Sequence, residues 1–307
     1  MDVKELKTQF LEHLEIEKNR SPKTVENYNH YLTRFINFSG VKSAGDITEE
    51  VIRKFRLQLN RLTDESGHTL KKVTQNYHII ALRAFLKYLA KRDIKTAVAE
   101  KIELGKQEER QVVFLEKNEL ERFLCSPQGV SLSDLRDRSI LETLFSTGLR
   151  VSELCSLDRE DIDIKRGEFT VRGKGSKLRV VFLSEEARAA LTTYLDKRPD
   201  ADEALFIRIP HHEKFEKYEN LRLTPRSIQR IIRKYAVAAG IIGKKVSPHS
   251  LRHSFATDLL RNGADIRSVQ ALLGHSSVTT TQIYTHVTDK QLREVHDKFH
   301  GKNKKQD

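Results

Sequence analysis

The chain has 307 residues, with 55 Lys and Arg against 43 Asp and Glu, so its net charge is +12 and its pI about 9.5. That length allows two domains with separate cores, and that charge favours a polyanionic partner, nucleic acid first, over a merely solvated surface. Cys125 and Cys155 are the only cysteines, which excludes a disulfide scaffold or a cysteine zinc site and fits a reducing compartment. Both are expected to be small core residues. The N-terminus alternates in charge without a long apolar run, so no signal peptide or transmembrane segment is expected.

Along the chain, the first hundred residues read as helices. Val3, Leu6, Phe10 and Leu14 recur at helical spacing, as do Val25, Tyr28, Leu32 and Phe35. Ser21 and Pro22 supply an N-cap and a first helical residue for the second helix. Asp46-Ile47-Thr48-Glu49 has capping-box spacing and should open a third, ending near residue 62. A fourth is expected from about Lys71 to Arg92. Tyr77, Ile80, Ala81, Ala84, Phe85 and Tyr88 would form its apolar face, with Lys72, Gln75, Arg83 and Lys87 opposite, on DNA or in solvent. Apolar periodicity lapses between Ile102 and Val113, which marks a linker.

A second helical region follows, interrupted once. Residues 168–172 and 178–182 flank Gly173-Lys174-Gly175-Ser176-Lys177 and read as a β-hairpin with a Gly-rich turn. Ser184, Thr224 and Ser247 look like N-caps, the last two followed by Pro225 and Pro248, and Gly263 like a C-cap. Segment 210–221 is unusually polar, fit for DNA or for solvent, and the Lys-rich tail from Gly301 is expected to fray. The fold class is therefore mainly α with one small hairpin. We expect an N-terminal domain at 1–104, a linker at 105–113 and a C-terminal domain at 114–307.

Six residues of the second half carry chemistry: Arg150, Lys174, His249, Arg252, His275 and Tyr284. Cleaving a phosphodiester builds negative charge on the non-bridging oxygens, which either metals or fixed cations must neutralise. Arginine suits the second route, because its planar fork can give one phosphate two hydrogen bonds. Taken alone, Arg150 would sooner be a structural ion-pair partner. His249 and Arg252 share one face of a helix begun by Ser247-Pro248, near free backbone N–H groups that suit an anion. Leu251, Phe255 and Leu259 pack the other face. His253 completes an H-x-x-x-H spacing, but Ser250 stands where the zinc motif needs glutamate, and no metal is expected. Tyr284 would ordinarily be a core residue; with a pKa near 10 it becomes a nucleophile only beside positive charge.

Gly148-Leu149-Arg150-Val151-Ser152-Glu153-Leu154, His249-Ser250-Leu251-Arg252-His253, and Leu273-Gly274-His275 through Tyr284-Thr285-His286 resemble, in order and spacing, the three signature boxes of the tyrosine recombinases. Lys174 matches that family's hairpin lysine, and Ser21-Pro22-Lys23-Thr24-Val25-Glu26-Asn27-Tyr28 resembles the opening of its SAM-like core-binding domain. The resemblance covers nearly the whole chain. It implies that Tyr284 attacks the scissile phosphate to form a 3′-phosphotyrosyl link and that Lys174 protonates the leaving 5′ oxygen. Arg150, Arg252 and His275 would hold the phosphoryl oxygens, with His249 assisting. A Holliday junction would follow, with no metal and no cofactor.

The same resemblance implies a C-shaped clamp on duplex DNA carrying two inverted half-sites. Lys23, Thr24, Asn27, Lys72, Gln75 and Asn76 would be contacts from the second and fourth helices, and Lys177 and Arg179 from the hairpin. It implies a homotetramer linked by C-terminal helix exchange through Leu292, Val295 and Phe299, where the plain alternative is a helix packed on its own domain. An accessory translocase or second recombinase, a cytoplasmic, nucleoid-associated location and no membrane complete the picture. The length is most similar to the Xer branch, which resolves chromosome or plasmid dimers. An integrase of a phage or mobile element, a type IB topoisomerase and a non-catalytic DNA-binding relative stay open. A metal-dependent transposase is the weakest, for want of a comparable carboxylate cluster.

Overall fold

The computed structural model describes residues 2–63, 67–106, 113–173, 177–209 and 220–274. Lys174, His275, Tyr284, the expected C-terminal helix and tail, and segment 210–219 lie outside the described residues. The chain divides into two compact units, residues 1–110 and 111–307.

The first unit holds α1 (Val3–Ile16), α2 (Pro22–Ser39), α3 (Glu49–Arg61) and α4 (Lys72–Ala90). Val3, Leu6, Phe10 and Leu14 are all buried, as the spacing requires. Ser21 caps α2 ahead of Pro22, and Gly40 closes it in the left-handed conformation at φ 65°. The third helix starts where expected but on a different cap. Asp46 turns back to accept from the Ser43 amide at 2.8 Å, closing a short 3-10 turn, and Thr48 caps α3 through the Val51 amide at 3.3 Å.

α4 buries a wider face than its sequence suggests. Ile79, Leu82, Leu86 and Leu89 are buried with Ala81, Phe85 and Tyr88, because the helix packs against α1, α2 and α3 together. Tyr77 and Ile80, expected inside, are 47% and 36% exposed. Phe10, Phe35, Phe55 and Phe85 anchor this core, with Phe35 and Phe55 edge-to-face at 5.1 Å.

The second unit contains α5 (Lys117–Leu124), α6 (Leu132–Thr147), α7 (Val151–Ser156), β1 (Glu168–Arg172), β2 (Leu178–Phe182), α8 (Glu185–Asp196), α9 (Pro225–Ala238), α10 (Pro248–Arg261) and α11 (Ile266–Leu273). β1 and β2 form an antiparallel hairpin pairing Phe169 with Val181 and Val171 with Arg179. Phe169, Val171 and Val181 point into the core, while Thr170, Val180 and Phe182 stay exposed, which is the period-2 alternation of a half-buried strand. α6 lies at the centre, meeting α5, α8, α9, α10 and β2. Ser184, Thr224 and Ser247 are N-caps, and Gly263 follows α10 at φ 94°.

The cysteines differ from expectation. Cys125 is exposed at the end of α5 rather than in the core. Cys155 is partly buried, and burial pushes its thiol up to about 11 despite Arg222 nearby.

Candidate active site

The loop that carries Arg150 is shaped by Gly148. α6 ends there in the left-handed conformation, at φ 59°. A Cβ at Gly148 would lie 2.5 Å from Phe255 Cδ1 and 3.1 Å from Leu273 Cδ2. Both the backbone and the space demand glycine. The turn buries Leu149 and places Arg150 at the N-cap position of α7.

Arg150 is held by Glu153, one turn along α7. Its backbone N–H donates to Glu153 Oε2 and its Nη1 to Oε1, both at 2.8 Å, and its Nη2 reaches the Gly274 carbonyl at 3.4 Å. Arg252, on α10, is only 5% exposed. Its Nη1 donates to the Gly148 carbonyl and its Nη2 to the Leu273 carbonyl, each at 2.5 Å. Arg252 thus ties the ends of α6 and α11 together, and Arg150, carried by the turn after α6, bonds the end of α11 as well. A guanidinium carries five N–H groups in one plane, and two carbonyl bonds fix that plane.

His249 lies one turn before Arg252 and stays accessible to solvent. Its pKa is lowered by partial burial, then by the charges of Arg252 and Arg150. All three effects favour the neutral imidazole, the form that accepts a proton. His253 is held down to about 4 by burial, then by His249 and Arg252, and so is neutral over the physiological range.

Glu153 was not singled out from the sequence, yet it organises this site. Burial alone would raise its carboxyl, but hydrogen bonds from Arg179 and Arg150 outweigh that and bring it down to about 2. The only sequence signal was a glutamate one helical turn after an arginine, a pattern that is usually a surface pair.

Two of the residues expected at DNA are largely enclosed and bonded within the protein. Arg179 turns inward, with a side chain 9% exposed, bonded to Glu153 and to the Leu272 carbonyl. Asn76 is 4% exposed; its amide donates to the Gly105 carbonyl at 2.8 Å and accepts from the Gly105 amide at 3.0 Å. Both are fasteners inside their units. Of the remainder, Lys23, Asn27, Lys72 and Lys177 are exposed, and Thr24 and Gln75 partly so. Lys23 pairs with Glu26, Lys72 with Asn60, and Gln75 with the Leu70 carbonyl. Lys72 and Gln75 line a cleft of about 320 Å³ with Arg53 and Arg56. Sequence reading also passed over α9, whose exposed Arg226, Gln229, Arg230 and Arg233 recur at helical spacing.

Comparison with known proteins gives the family. The phage integrase family matches residues 113–291, and the phage integrase N-terminal SAM-like domain matches residues 8–93. The chain belongs to the phage integrase family, the tyrosine recombinases. Among its relatives, the tyrosine recombinase XerC of Thermodesulfovibrio yellowstonii is 37% identical over 97% of this chain and 96% of that protein. The XerC of Bacillus subtilis is 36% identical over 97% of each. The crystal structure of XerA recombinase, 34% identical, covers 97% of this chain and 98% of its own with a TM-score of 0.52. XerH bound to palindromic difH substrate in a post-cleavage complex, 24% identical, shares the fold at a TM-score of 0.70, covering 95% of this chain and 84% of that one.

Proposed function

We propose that the chain performs Xer-type site-specific recombination on duplex DNA, resolving chromosome or plasmid dimers. The observation that carries this reading is that Arg252 bonds the carbonyls of Gly148 and Leu273 while Arg150, two residues after Gly148, reaches the carbonyl of Gly274, with His249 one turn before Arg252 and His275 next in sequence after Gly274. That arrangement is a fixed cationic seat for a phosphate, built from the residues expected to serve one. In this reading Tyr284 attacks the phosphorus, Arg150, Arg252 and His275 hold the non-bridging oxygens, His249 assists proton movement, and Lys174 protonates the departing 5′ oxygen. The 5′ hydroxyl of a partner duplex then reverses the step.

The N-terminal domain (1–104) and the catalytic domain (114–307), joined by the linker at 105–113, would clamp duplex DNA that carries two inverted half-sites. The cleft at Arg53, Arg56 and Lys72 and the basic face of α9 support a DNA partner, and chains of the same fold have been solved in complex with their DNA substrates. Assembly as a tetramer through the C-terminal segment, an accessory translocase or second recombinase, and a nucleoid location belong to the same proposal. An integrase of a mobile element is the second reading, favoured by the shared fold of the Tn1549 transposon integrase in complex with transposon right end DNA, at a TM-score of 0.72 and 21% identity.

The test is to mix the protein with nicked fragments of the genome it comes from, trap covalent complexes and sequence the bound DNA. A chromosomal dimer-resolution site supports the Xer reading, and mobile-element ends support the other. Adduct should form in EDTA and vanish in Tyr284→Phe. An adduct on the phenylalanine variant would sink the mechanism.

A further inference from the structure

Arg179 stands on β2 opposite Val171, almost enclosed. Its Nη1 and Nη2 donate to the two oxygens of Glu153 at 3.0 and 2.8 Å, and its Nε donates to the Leu272 carbonyl at 3.1 Å. One planar group thus ties the hairpin, α7 and the last turn of α11. The carboxylate it grips is the one that grips Arg150.

Two glycines close around the same side chain. A Cβ on Gly173 would come 3.2 Å from Arg179 Nη1, and one on Gly274 would come 3.0 Å from its Cδ. Gly173 immediately precedes Lys174, Gly274 immediately precedes His275, and Glu153 is one turn beyond Arg150. Two of the six candidate residues therefore adjoin, in sequence, a glycine packed on this one guanidinium, and a third lies one helical turn from the carboxylate bonded to it. Both glycines leave room for it, Gly173 having been read at first only as a turn residue.

We propose that Arg179 is a positioning residue for strand cleavage, holding the segments of Arg150, Lys174 and His275 in mutual register without itself meeting the phosphate. The inference rests on the recombinase reading above. Its physical basis is that three N–H donors diverge in one rigid plane, which neither lysine nor a packed apolar residue can reproduce. Were the ion pair only a stabiliser, well-packed apolar replacement could substitute for it.

The experiment compares full-length wild type, Arg179→Met and Arg179→Lys on the nicked duplex recovered by covalent trapping. It records single-turnover adduct formation at saturating protein across about pH 5 to 9, duplex binding and thermal unfolding. The Met variant should cleave about 100-fold more slowly with binding nearly unchanged. It should also gain an acidic limb, because Glu153, faced then by Arg150 alone, titrates higher and releases Arg150 when protonated. The Lys variant should remove that limb but recover only part of the rate. Cleavage at the wild-type rate in either variant overturns the proposal. So does a fall of cleavage, binding and unfolding temperature together with the pH profile unchanged. If Met does not fold, the rate and profile of Lys decide. A wild type that forms no adduct on any fragment overturns the recombinase reading instead, and this inference with it.

Discussion

Gly148 carries two constraints at once, a left-handed backbone and contact with Phe255 and Leu273 that leaves no space for a methyl group. Gly148→Ala should therefore cost about 1–3 kcal/mol, seen as a lower midpoint in urea unfolding, and should displace Arg150 enough to slow cleavage. The histidines make a second prediction. His253 is held at about 4 against an ordinary 6.5, and His249 and His78 are lowered, each first by burial. A depressed folded pKa means that the unfolded chain binds the proton first. Stability is thus full above about pH 6.5 and falls as pH drops toward 4. Glu153, near 2, remains ionised throughout that window, so its own loss comes only below about pH 4.5. Thermal melting between pH 7 and 5 should decline for wild type and less steeply for His253→Gln.

Among the elements, what could be read from sequence was what has a period or a punctuation mark. The hairpin was legible because its strands alternate and glycines stand between them. α4 was misread because a helix buried against three neighbours has apolar residues nearly all round and so no sharp face to find. The α3 cap was misplaced: Ser43 to Asp46 and Asp46 to Glu49 have the same spacing, and the fold uses the first for the 3-10 turn and leaves α3 to Thr48. Asn76 and Arg179 read as surface residues because their partners, Gly105 and Glu153, are 29 and 26 residues away. α9 yields a prediction of its own. If Arg230 and Arg233 each meet a phosphate, replacing either by Ala should lower the slope of log K against log salt by about 1 and weaken binding to all sequences alike.

For the whole molecule, the excess of 12 positive charges sets association more than fold. Binding of the wild-type chain to duplex DNA should fall by orders of magnitude between about 50 and 200 mM salt if 6–10 phosphates are met, measured by titration at several ionic strengths. A salt-insensitive affinity would contradict the DNA reading at its root. What set the six candidate residues apart in the sequence was their order along the chain. Their supports were not legible there, since Glu153 and Arg179 acquire meaning only when α7, the hairpin and α11 are brought together.

Arg252 has one more consequence. The carbonyls it binds, Gly148 and Leu273, lie at the C-terminal ends of α6 and α11, where aligned peptide dipoles leave partial negative charge. A single buried cation therefore terminates two helices. Arg252→Ala would strand both carbonyls at a cost of about 2–4 kcal/mol, read in denaturant unfolding. Any loss of activity in that variant mixes chemistry with a loosened framework, so it is a poor choice of inactive protein for trapping complexes on DNA.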